Sequence, residues 1–215
     1  MKQMKIVYEG GEGELIEKKS RFIATVRPVE SEEEALAFIA EMKKKYWNAT
    51  HNCFAFVIGE NHQIQRCSDD GEPQGTAGRP MLDVLLGEDV HNAAVVVTRY
   101  FGGTLLGTGG LVRAYSRAVQ EGLKGSRVIE KKVGALISIR TDYNGIGKLQ
   151  YLFGQRGITI TNSEYTDIVV VETLVPKAQI QELKEAVTEA TNGRAVFLKE
   201  EPVCFAFLDG EPLVF

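Results

Sequence analysis

The sequence predicts a two-domain α+β protein, and three observations support this fold class. Residues 31–46, SEEEALAFIAEMKKKY, combine a capping box at Ser31 and Glu34 with the apolar spacing of an amphipathic helix. Residues 92–101, NAAVVVTRYF, are apolar on both faces and predict a buried central strand. From residue 134 onward, the predicted strands and helices follow a different order, which indicates a second domain.

The N-terminal domain, expected over residues 1–133, combines strands and helices. Alternating patterns rich in β-branched residues predict the strands. Pro80 stands in the first turn of a helix, where its missing N–H costs little, and glycines lead into the last helix of this domain. The predicted strands cover residues 14–29 (with a break near Lys19-Ser20), 52–59, 62–68 and 92–101, and the predicted helices cover residues 31–46, 77–89 and 108–125.

The C-terminal domain, expected over residues 134–215, has the order strand, helix, strand, strand, helix, strand. This order is that of a ferredoxin-like βαββαβ sandwich, in which two helices cover one face of an antiparallel sheet. Pro176 precedes the second helix, and Asn192-Gly193 ends it. The predicted strands cover residues 135–141, 157–163, 166–175 and 195–207, and the predicted helices cover residues 145–155 and 177–191.

Composition and charge exclude several classes of protein. The 215 residues are 44% hydrophobic and 25% charged, as in globular proteins with a substantial core. The start of the chain lacks the apolar segment of a secretory signal, and the longest apolar runs are too short to span a bilayer. Three cysteines without CxxC spacing are typical of reduced thiols, so we expect a cytoplasmic protein without a membrane partner.

The net charge of −4 gives no overall basic signature for nucleic acid. The charge is uneven, however, because residues 1–133 contain 18 basic and 18 acidic side chains, whereas residues 134–215 contain 7 and 11. A surface that binds polyanions is therefore expected as a local patch on the N-terminal domain.

A glycine-rich stretch, RYFGGTLLGTGGLVRAYSR at residues 99–117, joins the central strand to a helix. Glycines permit positive φ and close approach of a ligand, while a helix N-terminus offers unpaired N–H groups, so this junction is typical of an anion site. It matches neither a Walker A loop nor a GxGxxG motif with a distal acid. A tight turn with close helix–sheet packing is the alternative. The glycines predicted to contribute to the site are Gly102, Gly103, Gly107, Gly109 and Gly110.

Basic residues accompany this junction. Arg113 and Arg117 stand four residues apart and share one helix face with Gln120 and Lys124, opposite an apolar face. Arg99 ends the preceding strand. Because these features converge on the glycine junction, we predict that Arg99, Arg113 and Arg117 bind phosphate groups. A solvated helix face without a ligand is the alternative.

The second distinctive segment, SDDGEPQGTAGRP at residues 68–80, contains no large apolar side chain. Its acids could hold Mg²⁺ for a nucleotide, but they lack EF-hand spacing. DDG is also typical of a plain turn, and contact with RNA or a protein partner is a third interpretation. We predict no metal or cofactor and expect this segment to lie beside the glycine-rich stretch. The residues expected to form this functional loop are Asp69, Asp70, Glu72, Gly75, Thr76, Gly78 and Arg79.

Histidine and cysteine give weaker signals. His51 and Cys53 point to the same face of a strand, but no third group that would orient a nucleophilic pair is identifiable. Cys53 also fits the role of a small buried hydrophobic residue, so both are assigned only as accessory residues. His62 and His91 are isolated in the sequence, and no pair of ligands has the spacing of a zinc finger.

Three motifs together closely resemble the YigZ/Impact family: ATHNCFAF (49–56), SDDGEPQGTAGRPML (68–82) and VVVTRYFGGTLLGTGGLVRAYSRA (95–118). The resemblance covers roughly residues 10–125, and the C-terminal unit is similar to the small domain of the bacterial YigZ branch. It implies a ribosomal protein S5 domain 2-like fold followed by a ferredoxin-like domain. This arrangement is similar to the last two domains of translation factor G.

The resemblance also implies a role. Eukaryotic Impact proteins are translational regulators that compete for an activator of the amino-acid-starvation kinase. They carry an extra N-terminal RWD domain, for which this chain has no room before Ser31, so we do not transfer that partner. We expect a non-catalytic RNA- or ribosome-associated regulator linked to translation. The alternatives are an enzyme acting with Mg²⁺ on a nucleotide or phosphorylated small molecule, and a protein-binding regulatory module.

Overall fold

The computed structural model describes residues 4–215, which divide into compact units of residues 4–129 and 130–215. The first three residues of the predicted N-terminal domain lie outside the described range. Both units combine strands and helices, which confirms the predicted two-domain α+β class. None of the helices in the described part of the chain is long and apolar enough to cross a membrane.

The N-terminal unit is built around an antiparallel sheet with the order β2-β3-β7-β4-β5. A short parallel pairing also joins β1 to β6. The strands are β1 (Met4–Glu9), β2 (Glu12–Glu17), β3 (Ser20–Pro28), β4 (His51–Ile58), β5 (Ile64–Ser68), β6 (Val90–His91) and β7 (Ala93–Tyr100), and the helices are α1 (Glu32–Lys45), α2 (Gly78–Gly87) and α3 (Thr108–Lys124).

The sheet is covered on both faces, as the apolar pattern of β7 predicts. Val95 and Val97 of β7 belong to the cluster shared with α2 and α3. Ala94 and Val96, which point to the opposite face, pack in the cluster shared with α1. The predicted capping box of α1 is present, since the Ser31 side chain accepts a hydrogen bond from the Glu34 N–H.

The C-terminal unit contains β8 (Arg127–Thr141, which enters it from the first unit), α4 (Tyr143–Arg156), β9 (Ile160–Tyr165), β10 (Val169–Pro176), α5 (Ile180–Ala190), β11 (Val196–Leu208) and β12 (Glu211–Val214). The sheet order is β9-β10-β8-β11-β12, and each neighbouring pair is antiparallel. Helices α4 and α5 share one apolar cluster with β8 and β10. Strands β8 to β11 thus have the predicted βαββαβ order, and β12 extends the sheet.

Candidate functional site

The site lies where the end of β7 meets the start of β4. Antiparallel pairing of these strands sets His51 opposite Arg99, so the loops beyond them meet at one end of the sheet. A cleft of about 420 Å³ opens there, lined by Glu72 and Pro73 on one side and by Phe101 and residues 105–108 on the other. The two distinctive segments are therefore adjacent, as predicted from the sequence.

Glu72 is the buried charged centre of this region, with a side chain that is 3% exposed. Its Oε1 accepts a hydrogen bond from Arg99 Nη1 at 2.5 Å and one from the Tyr115 hydroxyl at 2.7 Å. Its Oε2 lies 3.8 Å from His51 Nε2. Burial raises the pKa of Tyr115, so the phenol stays protonated and donates to the carboxylate. Glu72 thereby ties the acidic loop to β7 and α3.

Arg99 has a different role from the one that its sequence position suggested. It belongs to the same face of β7 as Val95 and Val97, so its side chain turns into the domain, where the residue is 5% exposed. Its guanidinium pairs with Glu72 and also lies 5.4 Å from the ring centre of Phe22. Its charge is balanced inside the protein, so Arg99 does not form part of an exposed basic patch.

Asp69 caps helix α2. Its carboxylate accepts hydrogen bonds from the N–H groups of Gly75 (2.8 Å), Ala77 (3.0 Å) and Gly78 (2.8 Å). The N-cap residue itself, Ala77, has no polar side chain that could cap the helix. Partial burial acts to raise the pKa of Asp69, but the three N–H donors outweigh it and hold the pKa below its ordinary value. The carboxylate is thus a structural anion of the loop.

The other residues of the predicted loop also have protein partners. Asp70 accepts hydrogen bonds from Lys43 Nζ at 2.6 Å and from the Asn52 N–H at 2.7 Å. The Thr76 hydroxyl donates to the Pro73 carbonyl at 2.6 Å, and exposed Arg79 pairs with Asp83 at 2.8 Å. Each of the three loop acids is therefore bound by protein donors, and these acids face separate partners.

Helix α3 begins at an open glycine turn. Its N-cap, Gly107, has φ 74° and ψ 166°, a conformation reserved for glycine, and as a glycine it has no side chain with which to cap the helix. The N–H groups of the first turn have no partner within a helix, so they remain donors for a ligand. Arg113 Nη1 lies 3.8 Å from the place that a Cβ on Gly109 would occupy, so this guanidinium turns back toward the helix start.

The two preceding glycines, Gly102 and Gly103, serve the path of the chain. Gly102 packs on the β2–β3 turn, where a Cβ would come within 2.1 Å of the Lys19 carbonyl carbon, and Gly103 has φ 82°. The Gly102 N–H donates to Ser20 Oγ at 3.2 Å. These contacts fix the loop against the β2–β3 hairpin.

A basic hollow of about 120 Å³ lies beside the first turn of α3. Arg113 is exposed and forms no ion pair within the described residues, and Arg117 is 60% exposed with Glu17 at 3.7 Å. Lys18, exposed at the tip of the β2–β3 hairpin, completes this hollow. Sequence reasoning missed Lys18, although the Lys18-Lys19 pair at a predicted strand break was a visible signal.

His51 and Cys53 do not form a nucleophilic pair. The His51 Nδ1 lies 2.9 Å from the Asp70 carbonyl, which can only accept, so this nitrogen carries the proton. Cys53 is buried against Tyr115 and the Asp69 carbonyl, at 3.3 and 3.0 Å. Burial raises the pKa of Cys53 to about 12, so the thiol stays protonated at neutral pH.

His62 and His91 are adjacent in the fold, which corrects their interpretation as isolated. Their rings stack with centres 4.0 Å apart, and Asp89 Oδ1 lies 3.4 Å from His91 Nε2. The turn after β4 meets β6, which brings together residues that are far apart in sequence. None of the three side chains lines the cleft.

Comparisons with known proteins agree with the three sequence motifs. Residues 18–123 match the family described as Impact N-terminal domain, and residues 139–194 match a domain of unknown function, DUF1949. The IMPACT family member YvyE of Bacillus subtilis is 45% identical over 189 residues, covering 88% of this chain and 87% of the relative. The IMPACT family member YigZ of Escherichia coli is 36% identical over 186 residues, covering 86% and 91%.

A solved structure supports the same assignment. The crystal structure of a hypothetical protein is 34% identical to this chain, with a TM-score of 0.58, and the match covers 92% of this chain and 97% of that one. Both the sequence relatives and this structure span the N-terminal and C-terminal units. The chain is therefore a member of the IMPACT family.

Proposed function

We propose that this protein is a non-catalytic regulator linked to translation, which associates with RNA or the ribosome by binding phosphate groups at the start of α3. The observation that carries the proposal is the open N-terminus of this helix, with exposed Arg113 turned back over its first turn. Unpaired N–H groups and the helix dipole favour an anion at this position.

The surrounding charges favour the same ligand. The basic hollow is lined by three cations, Lys18, Arg113 and Arg117, and by one acid, Glu17. The chain as a whole carries a net charge of −4, so this hollow is a local positive patch on an acidic protein. Such a patch attracts a phosphate backbone even though the protein as a whole is not positively charged.

Exposed apolar side chains next to the helix start favour RNA over a lone phosphate. Phe101 is 46% exposed and Leu105 is 80% exposed, and both line the cleft from which α3 begins. Aromatic and apolar surface beside cations is the arrangement that holds unstacked bases of single-stranded nucleic acid. The proposed ligand is accordingly an unpaired RNA segment.

The link to translation rests on the family resemblance, which implies that eukaryotic Impact proteins regulate translation. The proposal therefore includes a cytoplasmic location, where ribosomes are found. We assign no catalytic residue. Cys53 is a protonated, buried thiol, and Glu72 is already bound by Arg99 and Tyr115. These contacts suit a rigid binding surface rather than a reacting group.

The test is co-sedimentation of the full chain with ribosomes and with free RNA across a salt series. The Arg113→Ala/Arg117→Ala variant is compared with Arg66→Ala/Arg156→Ala, which removes two charges from ion pairs with Glu32 and Glu182. We expect binding that weakens with salt and is lost only in the first variant, because released counterions dominate such affinities. Absence of binding, or equal loss in both variants, contradicts the proposal.

A protein partner is the second candidate, since exposed Leu105 and Phe101 also suit an apolar contact. Nuclease treatment separates the two candidates. A bound partner that survives nuclease and is lost in Leu105→Ser favours a protein-binding module, whereas loss of binding on nuclease treatment favours RNA.

A further inference from the structure

A cluster of three side chains at the turn between β4 and β5 has no role in the proposed RNA site. His62, Asp89 and His91 each offer a ligand atom, and these atoms lie within 4.8 Å of one another. His62 stands in the turn after β4, Asp89 directly precedes β6, and His91 ends β6. Two imidazoles and one carboxylate are a ligand set that divalent transition metals accept.

Backbone carbonyls determine which nitrogen each ring offers. His91 Nδ1 lies 3.2 Å from the Gly59 carbonyl, and His62 Nε2 lies 3.0 Å from the Val90 carbonyl. A carbonyl only accepts, so both of these nitrogens carry protons in the neutral rings, and the lone pairs are on His91 Nε2 and His62 Nδ1. Metal-bound histidines are commonly oriented by this kind of N–H to carbonyl hydrogen bond.

The lone pair of His91 is buried and unsatisfied. His91 is 4% exposed, and its Nε2 has no hydrogen-bond partner among residues 4–215. Asp89 Oδ1 approaches this nitrogen to 3.4 Å without forming a hydrogen bond to it. A buried polar atom without a hydrogen bond carries a free-energy cost, which coordination of a cation by Nε2 and Asp89 would remove.

The stacking of the rings sets a condition on metal binding. The rings are 16° from parallel with centres 4.0 Å apart, so their in-plane lone pairs do not converge on one point. A shared ion therefore requires His62 to tilt out of the stack. His62 is partly exposed in a turn, while His91 is buried in a strand, so His62 is the residue that can move.

We propose that His62, Asp89 and His91 form a binding site for a divalent transition metal such as Zn²⁺, with the ion held by His62 Nδ1, His91 Nε2 and an Asp89 oxygen. The three ligands leave a fourth tetrahedral position for water. The bound ion would join the β4–β5 turn to β6. This site is independent of the cleft and of the RNA-binding proposal.

The test is calorimetric titration of the full, chelator-treated chain with Zn²⁺ alone. We expect one ion per chain and an affinity that falls about 100-fold or more in His91→Ala, at least the loss caused by removing an outer partner of a metal ligand. His62→Ala and Asp89→Asn should also weaken binding. His51→Ala and Cys67→Ser, which remove another histidine and an exposed thiol, should leave it unchanged.

Nitrogen-detected NMR of the imidazole rings provides a readout that does not depend on whether His91→Ala folds. Before zinc is added, the protons should be on His62 Nε2 and His91 Nδ1, and zinc should shift the signals of the opposite nitrogens. Absence of saturable binding, equal affinity in all variants, or metal-induced shifts confined to other residues would overturn the proposal.

Discussion

The substitution Glu72→Gln tests whether the buried ion pair organises the cleft. It keeps the size of the side chain and an oxygen that accepts from Tyr115, but it removes the charge that balances Arg99. The two charged side chains are only 3% and 6% exposed, so the guanidinium would be left without compensation inside the protein.

The expected cost follows from that burial. Breaking a buried ion pair by removing one partner destabilises proteins by about 3–5 kcal/mol, because the remaining charge stays desolvated. The unpartnered Arg99 Nε adds to this, since the guanidinium already lacks a full set of acceptors among the described residues. Replacement of both partners, as in Glu72→Gln/Arg99→Met, should recover much of the loss because no lone charge remains.

The assay is urea unfolding of the full chain, monitored by circular dichroism and by the amide signals of the N-terminal unit. The matched control is Glu14→Gln, which breaks the exposed, bidentate pair with Arg21 at 2.8 Å and should leave the midpoint unchanged. If Glu72→Gln unfolds at the same urea concentration as Glu14→Gln, the buried pair does not organise the site.

Three further substitutions or labels probe the loops. Asp69→Asn should cost about 1–2 kcal/mol in urea unfolding, since one of three N–H groups loses its acceptor. The pKa of Asp69 is lower in the folded protein than in the unfolded protein, so its stabilisation is present above the unfolded pKa of about 3.9 and is lost as the pH falls through the folded pKa. In Asp69→Asn, the free energy of unfolding should therefore depend less steeply on pH in the acid range. Iodoacetamide at pH 8 should label exposed Cys67 and spare buried Cys53, whose pKa of about 12 keeps the thiol protonated. Rapid labelling of Cys53 in the folded protein, detected by mass spectrometry, would show that this thiol is not buried. Gly107→Ala should lower the free energy of unfolding by about 1–3 kcal/mol, because alanine is strained at φ 74°, and should weaken RNA binding. Gly87→Ala, which has open space around its Cβ position, should change neither property.

Local sequence patterns predicted many of the helices and strands. The capping box of α1 and the apolar run of β7 depend on neighbours along the chain, so their spacing predicted both elements. The short pairing of β1 with β6 was missed because residues 4–9 and 90–91 meet only in the folded structure, and β6 is two residues long.

The proximity of the two loops was predicted, but the side-chain pairing between them was not. Adjacency of the two loops followed from their sequence motifs, yet the partner of Glu72 depends on which way Arg99 points. The alternation Val95, Val97, Arg99 already indicated an inward side chain, and this signal was outweighed by the position of Arg99 beside the glycines. The stacking of His62 on His91 depends on a contact between distant turns, which residue spacing does not encode.

The most direct test of the central claim is an amide NMR titration of the full chain with a short single-stranded RNA. The account predicts salt-dependent shifts concentrated on the N–H groups of Thr108, Gly109 and Gly110, and their loss in Arg113→Ala/Arg117→Ala. Shifts confined to other surfaces, or no shifts at low salt, would contradict the assignment of phosphate binding to the start of α3.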